Sequence, residues 1–182
     1  MGVLAYKAFE RGLVATRGAG RYQFKEGVNE TEKAHCARYG FHCAENPLDM
    51  FNYYRPDDNT EYRIVIASGD IHEDGGDSKI SCTRLIIKRE ISIEEVAAAA
   101  LLYWRKHPER SVKSFSLDGK FKMARGSNPK LRGKLGEWLC FAIGNGKNIG
   151  DIGMIHIDGI KYMPDVYYCI DDGIRGKDNE QG

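Results

Sequence analysis

Two His-Cys pairs, His35-Cys36 and His42-Cys43, place imidazole and thiol side chains seven residues apart. Thiolate and imidazole are the ligands that zinc prefers in proteins, so the four side chains could form a zinc site. Adjacent residues on a strand point to opposite faces, and His42 and Cys43 therefore do not easily face one ion. The sequence favours buried thiols next to exposed imidazoles, and we predict no metal site.

A run of acidic residues from Asp70 to Asp77 could bind a hard cation through carboxylate oxygens. Its spacing is not that of an EF-hand, and its glycines favour a solvated hairpin loop instead. Lys79 follows this loop within Asp77-Ser78-Lys79. There it could pair with Asp77 or receive an anionic ligand.

The segment Gly40–Tyr54 is typical of a short strand that runs directly into a capped helix. Asn46 can accept hydrogen bonds from the first free amides of that helix, and Pro47 suits the first helical position because it has no N–H. Leu48 and Phe51 then fall on one face.

In outline, this strand and helix with the returning strand 62–67 resemble the nicotinamide pocket of ADP-ribosyltransferase-like folds. The resemblance implies NAD as the cofactor and Tyr6, His42 and Tyr54 as pocket residues. Stabilising the oxocarbenium ion would then fall to Glu73 or Glu45. The Ser-Thr-Ser and Glu-x-Glu elements of toxin-like members are missing from the sequence, so such an enzyme is our alternative hypothesis.

These motifs define one candidate pocket or binding surface in the N-terminal half. Its members are Tyr6, His42, Glu45, Asn46, Tyr54, Asp77 and Lys79. The sequence contains no phosphate-binding loop, nucleophile elbow or His-Glu-x-x-His helix, and no convincing nucleophile–base pair. We therefore expect no catalysis, and no cofactor outside the NAD hypothesis.

A second candidate is a basic segment with interleaved aromatic residues, where cationic side chains could contact phosphates. Its members are Lys120, Lys122, Arg125, Lys130 and Arg132. The chain as a whole is nearly neutral, with formal charge +1, so we favour a solvated linker over a nucleic-acid interface.

The pattern of elements predicts an α+β fold, with a small mixed or antiparallel sheet and two or three helices. One helix is expected from Asn29 or Thr31 to Arg38, and another within Gly40–Tyr54. A capping box of Ser92 and Glu95 predicts the longest helix, ending near residue 107.

A change in composition near residue 108 suggests the domain organisation. We predict an α+β head domain over residues 1–108 and a basic linker or vestigial repeat over 109–134. A short antiparallel β module follows over 135–174, and a loose tail over 175–182.

Composition places the 182-residue chain among ordinary globular proteins, with 42% hydrophobic and 29% charged residues. No apolar run approaches the roughly 20 residues of a spanning helix, so we expect no membrane association. Five cysteines without a regular framework favour a reducing compartment. We therefore expect a cytoplasmic location.

Several motifs in one order resemble an uncharacterised bacteriophage and prophage protein family. In its longer members, this head is followed by Gly/Ser/Ala-rich repeats and a compact C-terminal module. The matching segments are Ala5–Phe9, Tyr22–Gly27, Gly40–Tyr54, Asp77–Ile80, Gly133–Leu139 and Ile160–Tyr168. The repeats are absent here or reduced to the basic segment.

The resemblance implies a phage setting without an established activity. Our leading hypothesis is a phage-encoded protein that binds a bacterial host or defence protein and antagonises it without catalysis. Surface aromatic residues and the charged loop around Asp74 would form the contact. A virion or assembly accessory protein is a further alternative, and the oligomeric state stays open.

Overall fold

Strands dominate this fold, since 48% of the residues are in strands and 14% are helical. The prediction of an α+β fold with two or three helices is therefore wrong, because the described residues contain one sizeable helix and two larger sheets. The computed structural model describes residues 2–17, 20–36, 38–57, 59–73, 75–144, 147–170 and 174–176.

The chain forms two compact units, Met1–Ser92 and Ile93–Gly182. The predicted head domain extended to residue 108, whereas the structure assigns the long helix to the second unit. Elements of the first unit are β1 (Val3–Glu10), β2 (Val14–Ala15), β3 (Tyr22–Gln23), β4 (Gly27–Glu30), β5 (Phe41–Ala44), a 3₁₀ helix (Pro47–Asn52), β6 (Thr60–Glu73) and β7 (Lys79–Ile91).

The seven strands of the first unit form one sheet. Four of them pair in a closed, antiparallel cycle. β1 pairs with β6, β6 with β7, β7 with β5, and β5 with β1. Alternate residues of these strands face a common core, because side chains alternate between the two faces of a strand. The core includes Ala5, Phe9, Phe41, Cys43, Val65, Ala67, Ile80, Cys82, Leu85 and Ile87.

An irregularity in the β6–β7 pairing lies between Ser68 and Ile71. Gly69 adopts a φ of +77° there, and a Cβ at this position would lie 2.1 Å from Thr83 Oγ1. The amide of Asp70 donates to the same hydroxyl at 2.9 Å. Glycine is required at this bulge because both the backbone conformation and the space exclude a side chain.

Two predicted helices of the first unit differ from the structure. Residues 29 and 30 belong to β4, and the described part of 31–38 contains no helix. The buried Asn29 side chain donates to Lys25 O at 2.8 Å and accepts from Lys25 N at 3.1 Å. It therefore closes a turn with preceding residues and does not cap a helix that follows. The helix after Asn46 is a six-residue 3₁₀ helix, and its predicted cap is confirmed, since Asn46 Oδ1 accepts from Leu48 N at 3.2 Å.

The second unit consists of the helix α1 and two further sheets. Its elements are α1 (Ile93–Lys106), a short 3₁₀ helix (Pro108–Arg110), β8 (Ser114–Leu117), β9 (Phe121–Gly126), β10 (Trp138–Gly144), β11 (Ile149–His156), β12 (Tyr168–Ile170) and β13 (Ile174–Gly176). The predicted helix after Ser92 is confirmed by α1. Its buried face, which includes Val96, Ala100 and Trp104, packs against β9, β10 and β11.

The larger sheet of this unit has the order β11-β10-β9-β8, and β9 pairs with β10 in parallel. Within the predicted module 135–174, β10 pairs with β11 and β12 pairs with β13, both antiparallel, whereas the parallel pair includes β9 from outside these bounds. Residues 109–134, for which we predicted a linker, supply β8 and β9 to this sheet. Of the predicted tail 175–182, residues 175 and 176 belong to β13, and 177–182 lie outside the described residues.

Candidate functional site

A cavity of about 330 Å³ lies in the first unit, where β1 and β5 meet the first 3₁₀ helix. Ala5, Phe9 and Cys43 face the core, so the intervening residues of β1 and β5 lie on the opposite face, toward the cavity. Four of the strand residues that line the cavity lie on this opposite face, namely Tyr6, Ala8, His42 and Ala44, while Lys7 and Cys43 border the cavity from the core-facing side. Both alanines are buried and give the cavity an apolar floor.

The remaining lining residues combine aromatic and charged side chains. They are Arg17, Asp49, Met50, Tyr53, Tyr54 and Lys79. An apolar floor with a few convergent polar groups is the usual composition of a small-molecule site.

Tyr54 holds the segment that carries Arg17. Its hydroxyl accepts from the amides of Thr16 at 2.9 Å and Arg17 at 3.2 Å. The Arg17 guanidinium donates through Nε to Tyr53 O at 3.1 Å and lies 5.8 Å from the centre of the Tyr54 ring. The guanidinium is thereby held at the cavity edge, and no carboxylate of the described residues forms an ion pair with it.

Lys79 is the second cation at this edge. Its ammonium donates to the Tyr53 hydroxyl at 3.0 Å and lies 5.4 Å from the centre of that ring. Tyr53 in turn donates to Asp77 Oδ2 at 3.4 Å, while Asp77 Oδ1 accepts from the Lys79 amide at 2.9 Å. A chain of hydrogen bonds therefore fixes the position of Lys79 beside an aromatic ring.

Lys7 borders the cavity, but its ammonium is directed toward the core. It donates to His42 O at 2.7 Å and lies 5.2 Å from the Phe9 ring and 5.3 Å from the Phe24 ring. Burial lowers the pKa of Lys7 to about 8, against the weaker opposing effect of the nearby Cys43 and Cys82 thiols. The amine therefore stays mostly protonated at neutral pH and becomes largely neutral only above pH 8.

Asp49 is the single carboxylate among the described residues that line the cavity. Its Oδ2 atom accepts from the Ser78 amide at 3.0 Å and from the Ser78 hydroxyl at 2.6 Å. These two bonds commit the carboxylate to a structural role, which reduces its ability to repel an anion in the cavity.

Four members of the sequence-based candidate surface come together at this cavity, namely Tyr6, His42, Tyr54 and Lys79. The other three lie beside it. Asn46 caps the 3₁₀ helix, Asp77 contacts Tyr53 and Lys79, and the Glu45 amide donates to Ser78 O at 3.1 Å.

The polar lining residues that the sequence-based candidate surface lacked include Arg17, Asp49 and Tyr53. Asp49 and Tyr53 lie inside the segment Gly40–Tyr54, whose helical spacing could have indicated them. Arg17 had no sequence signal, because its contact with Tyr54 spans 37 residues of chain. Glu73, the other carboxylate of the NAD hypothesis, is exposed at the end of β6 and does not line the cavity.

Three of the five residues of the candidate basic segment each contact a different group within the second unit. Lys122 pairs with Glu137 at 3.2 Å, Arg125 donates to Pro108 O at 2.6 Å and to the Ser111 hydroxyl, and Arg132 lies over the Tyr167 ring. Lys120 and Lys130 are exposed. These contacts give no additional support to a nucleic-acid interface.

The five cysteines form no disulfide bond and are all buried, in agreement with the predicted buried thiols. Within the described ranges, no group of three or more His, Cys, Asp or Glu side chains is arranged to hold a metal ion. In the same part of the chain, no helix is both long and apolar enough to cross a membrane. Asp74, in the loop predicted to contact a partner, lies outside the described residues.

Comparisons with known proteins gave one match. A comparison with curated proteins found no match, and neither did a comparison with solved structures. Residues 3–99 match the family described as "Domain of unknown function (DUF7666)". Because this match covers more than half of the chain and includes every residue that lines the cavity, the protein belongs to the DUF7666 family.

Proposed function

We propose that the first unit is a binding module whose cavity takes a small, planar, anionic ligand without transforming it. The observation that carries this proposal is the charge of the cavity edge. Arg17 and Lys79 are both held there against tyrosine rings, and the single lining carboxylate of the described residues, Asp49, is bonded to Ser78.

An anion is favoured because the two cations are fixed before a ligand arrives. Tyr53 and Tyr54 restrict the Lys79 and Arg17 side chains, so little side-chain entropy is lost when a phosphate or carboxylate binds. A guanidinium also presents a planar set of donors that matches a carboxylate or phosphate.

A planar ligand is favoured by the remaining walls. Tyr6, His42 and Met50 border a floor of two alanines, which leaves an apolar space suited to a ring. Stacking of a ring on aromatic side chains is typically worth about 1 kcal/mol beyond the area buried.

The positions of the carboxylates favour binding of the ligand without a chemical reaction. The ADP-ribosyltransferase-like alternative requires a carboxylate to stabilise an oxocarbenium ion, and neither Glu45 nor Glu73 lines the cavity. Asp49 does line it, but its Oδ2 atom already accepts two hydrogen bonds. An NAD-consuming enzyme therefore stays the weaker alternative.

The cellular role is proposed from the resemblance alone. We propose a phage-encoded protein in the cytoplasm of a bacterial host, which antagonises a host or defence process by binding. Affinity capture from infected cells tests this role against that of a virion or assembly accessory protein. Recovery of the protein only in purified particles would contradict it.

Ligand binding is tested by thermal unfolding with adenosine monophosphate, 4-hydroxybenzoate and inorganic phosphate. A ligand that binds the native state raises the melting temperature, and we expect an increase with the two planar anions that exceeds the increase with phosphate. Arg17→Gln should remove most of this increase.

The matched control is Arg21→Gln, which makes the same charge change at an exposed residue outside the cavity. It should retain the full response. No increase with any of the three anions, or an equal loss in both variants, would refute the proposed function.

A further inference from the structure

A second cavity of about 350 Å³ adjoins the first one in the same unit. It lies between the end of β1, the end of the first 3₁₀ helix and the start of β6. The two cavities share Arg17, Tyr53 and Tyr54 as lining residues. A ligand that occupies one cavity and contacts these shared residues therefore lies next to the other cavity.

The second cavity has a different chemistry from the first. Its remaining lining residues include the carboxylates of Glu10 and Asp57 and the carboxamides of Asn52 and Asn59. Two of these groups are oriented by local bonds, since Glu10 Oε1 accepts from Thr16 Oγ1 at 2.6 Å and Asp57 Oδ1 accepts from Thr60 Oγ1 at 2.7 Å. Carboxylates and carboxamides are suited to the hydroxyl groups of a sugar.

The volumes limit what each cavity can hold. Both are near the lower end of the range of about 300–1,000 Å³ that is typical of ligand sites. Each is therefore suited to one ring-bearing unit, and a longer ligand has to occupy both.

The group that joins two such units would pass the shared residue Arg17. Its guanidinium is held by Tyr53 O at 3.1 Å, and none of the described carboxylates pairs with it. A fixed guanidinium in that position is suited to a phosphate or pyrophosphate.

From this arrangement, which rests on the proposed function, we infer that the ligand is a dinucleotide. One ring-bearing unit occupies the apolar cavity beside Tyr6 and His42, the pyrophosphate contacts Arg17, and the second unit places its hydroxyls against Asn52 and Asn59. The ligand class follows from the juxtaposition of a cavity with an apolar floor and a polar cavity across the cationic residue that they share.

Titration calorimetry with NAD+, adenosine monophosphate and nicotinamide mononucleotide tests the inference on the full chain. NAD+ should bind at least about tenfold more tightly than either mononucleotide, because each half adds contacts in its own cavity. The double variant Asn52→Ala with Asn59→Ala should weaken NAD+ binding about tenfold through the loss of two hydrogen-bonding groups.

Adenosine monophosphate should bind this double variant as it binds the native protein. Both asparagines are exposed, and Asn128→Ala, at an exposed residue of the second unit, is the control for removing a surface carboxamide. Melting curves without ligand confirm that the variants are folded.

The outcomes separate the two proposals. If adenosine monophosphate binds and NAD+ binds no more tightly, the dinucleotide inference is overturned while the proposed function stands. An unchanged NAD+ affinity in the double variant also overturns it. If neither the nucleotides nor 4-hydroxybenzoate bind, both proposals fail together.

Discussion

Asp49 and Ser78 are joined twice through one oxygen atom, since Asp49 Oδ2 accepts from both the amide and the hydroxyl of Ser78. The Ser78 hydroxyl also accepts from the Asn46 amide at 2.8 Å. These bonds connect the start of the 3₁₀ helix to the residue that precedes β7, across 29 residues of chain. The wall of the cavity that carries Tyr53 is thereby attached to the sheet.

Replacement of Ser78 by alanine should destabilise the first unit, because it removes the attachment of the cavity wall to the sheet. Ser78→Ala leaves a partly buried carboxylate and the Asn46 amide without their hydroxyl partner, which should cost about 1–3 kcal/mol. Urea unfolding measures this loss. The control Ser114→Ala removes an exposed hydroxyl in β8 and should change the free energy of unfolding by less than about 0.5 kcal/mol. Equal losses in both variants would contradict the role of the Asp49–Ser78 pair.

Replacement of Gly40 by alanine tests the close approach at the start of β5. Gly40 has a φ of +92°, and a Cβ there would lie 3.0 Å from both Ala34 Cα and Cys82 O. We expect a loss of at least about 1–3 kcal/mol in the free energy of unfolding. Gly12→Ala is the matched control, because Gly12 has a φ of +81° in open space and shares only the conformational cost. Similar losses in both variants would show that the close contacts are unimportant.

The buried amine of Lys7 predicts a pH dependence of stability. Its pKa falls from 10.5 in the unfolded chain to about 8 in the folded one, so the unfolded state binds more protons between these values. Stability should therefore rise as the pH increases above 8. In Lys7→Met this rise should disappear, whereas the exposed-residue control Lys33→Met should retain it.

The informative range for Lys7 is pH 8 to 9. Above this range, buried thiols oppose the rise in stability. Burial raises the pKa of Cys140 from 9.0 to about 12. Between these values the thiol ionises in the unfolded chain but not in the folded one, so stability falls as the pH increases. Chemical unfolding at several pH values gives the difference between the native protein and each variant. An identical pH slope in Lys7→Met would be inconsistent with a desolvated Lys7.

Glu137 of the second unit predicts a loss of stability in acid, with the same direction of pH dependence as Lys7 but in a lower pH range. Burial alone would raise its pKa, but the amides of Lys134 and Gly119 and the Lys122 ammonium outweigh burial and lower it. A lowered pKa contributes stability that is present above the ordinary value of 4.5 and lost as the pH falls through the folded value.

Replacement of Glu137 by glutamine should therefore cost about 2 kcal/mol at neutral pH and reduce the loss of stability in acid. Glu109→Gln, at an exposed residue, should do neither. Guanidinium unfolding at pH 7 and pH 3.5 measures both effects. Equal acid sensitivity of Glu137→Gln and the native protein would exclude this carboxylate as the cause.

Short-range signals in the sequence predicted several elements correctly. The Asn46 cap and Pro47 lie within two residues of the helix that they start. In α1, Glu94 and Glu95 lie in the first turn, while Arg105 and Lys106 lie in the last turn. Such features depend on neighbours in the chain, and the sequence displays them directly.

The secondary-structure predictions that were wrong concern segments whose structure depends on pairing with a strand distant in the chain. Residues 27–30 have a partner in β7 and therefore form β4 instead of starting a helix. Within the predicted linker, β9 lies parallel to β10, from which it is separated in the chain by the glycine-containing residues 127–137. Local propensity is weak information where a partner strand supplies the hydrogen bonds.

The sequence by itself determined that Tyr6, His42, Tyr54 and Lys79 belonged to one candidate surface, because each lies within a recognisable local motif. Only the tertiary structure placed Arg17 between two cavities and turned Lys7 toward the core. It also bound Asp49 to Ser78. The physical reason is that burial and charge pairing are set by chain segments 29 to 37 residues apart, whose contacts no local pattern records.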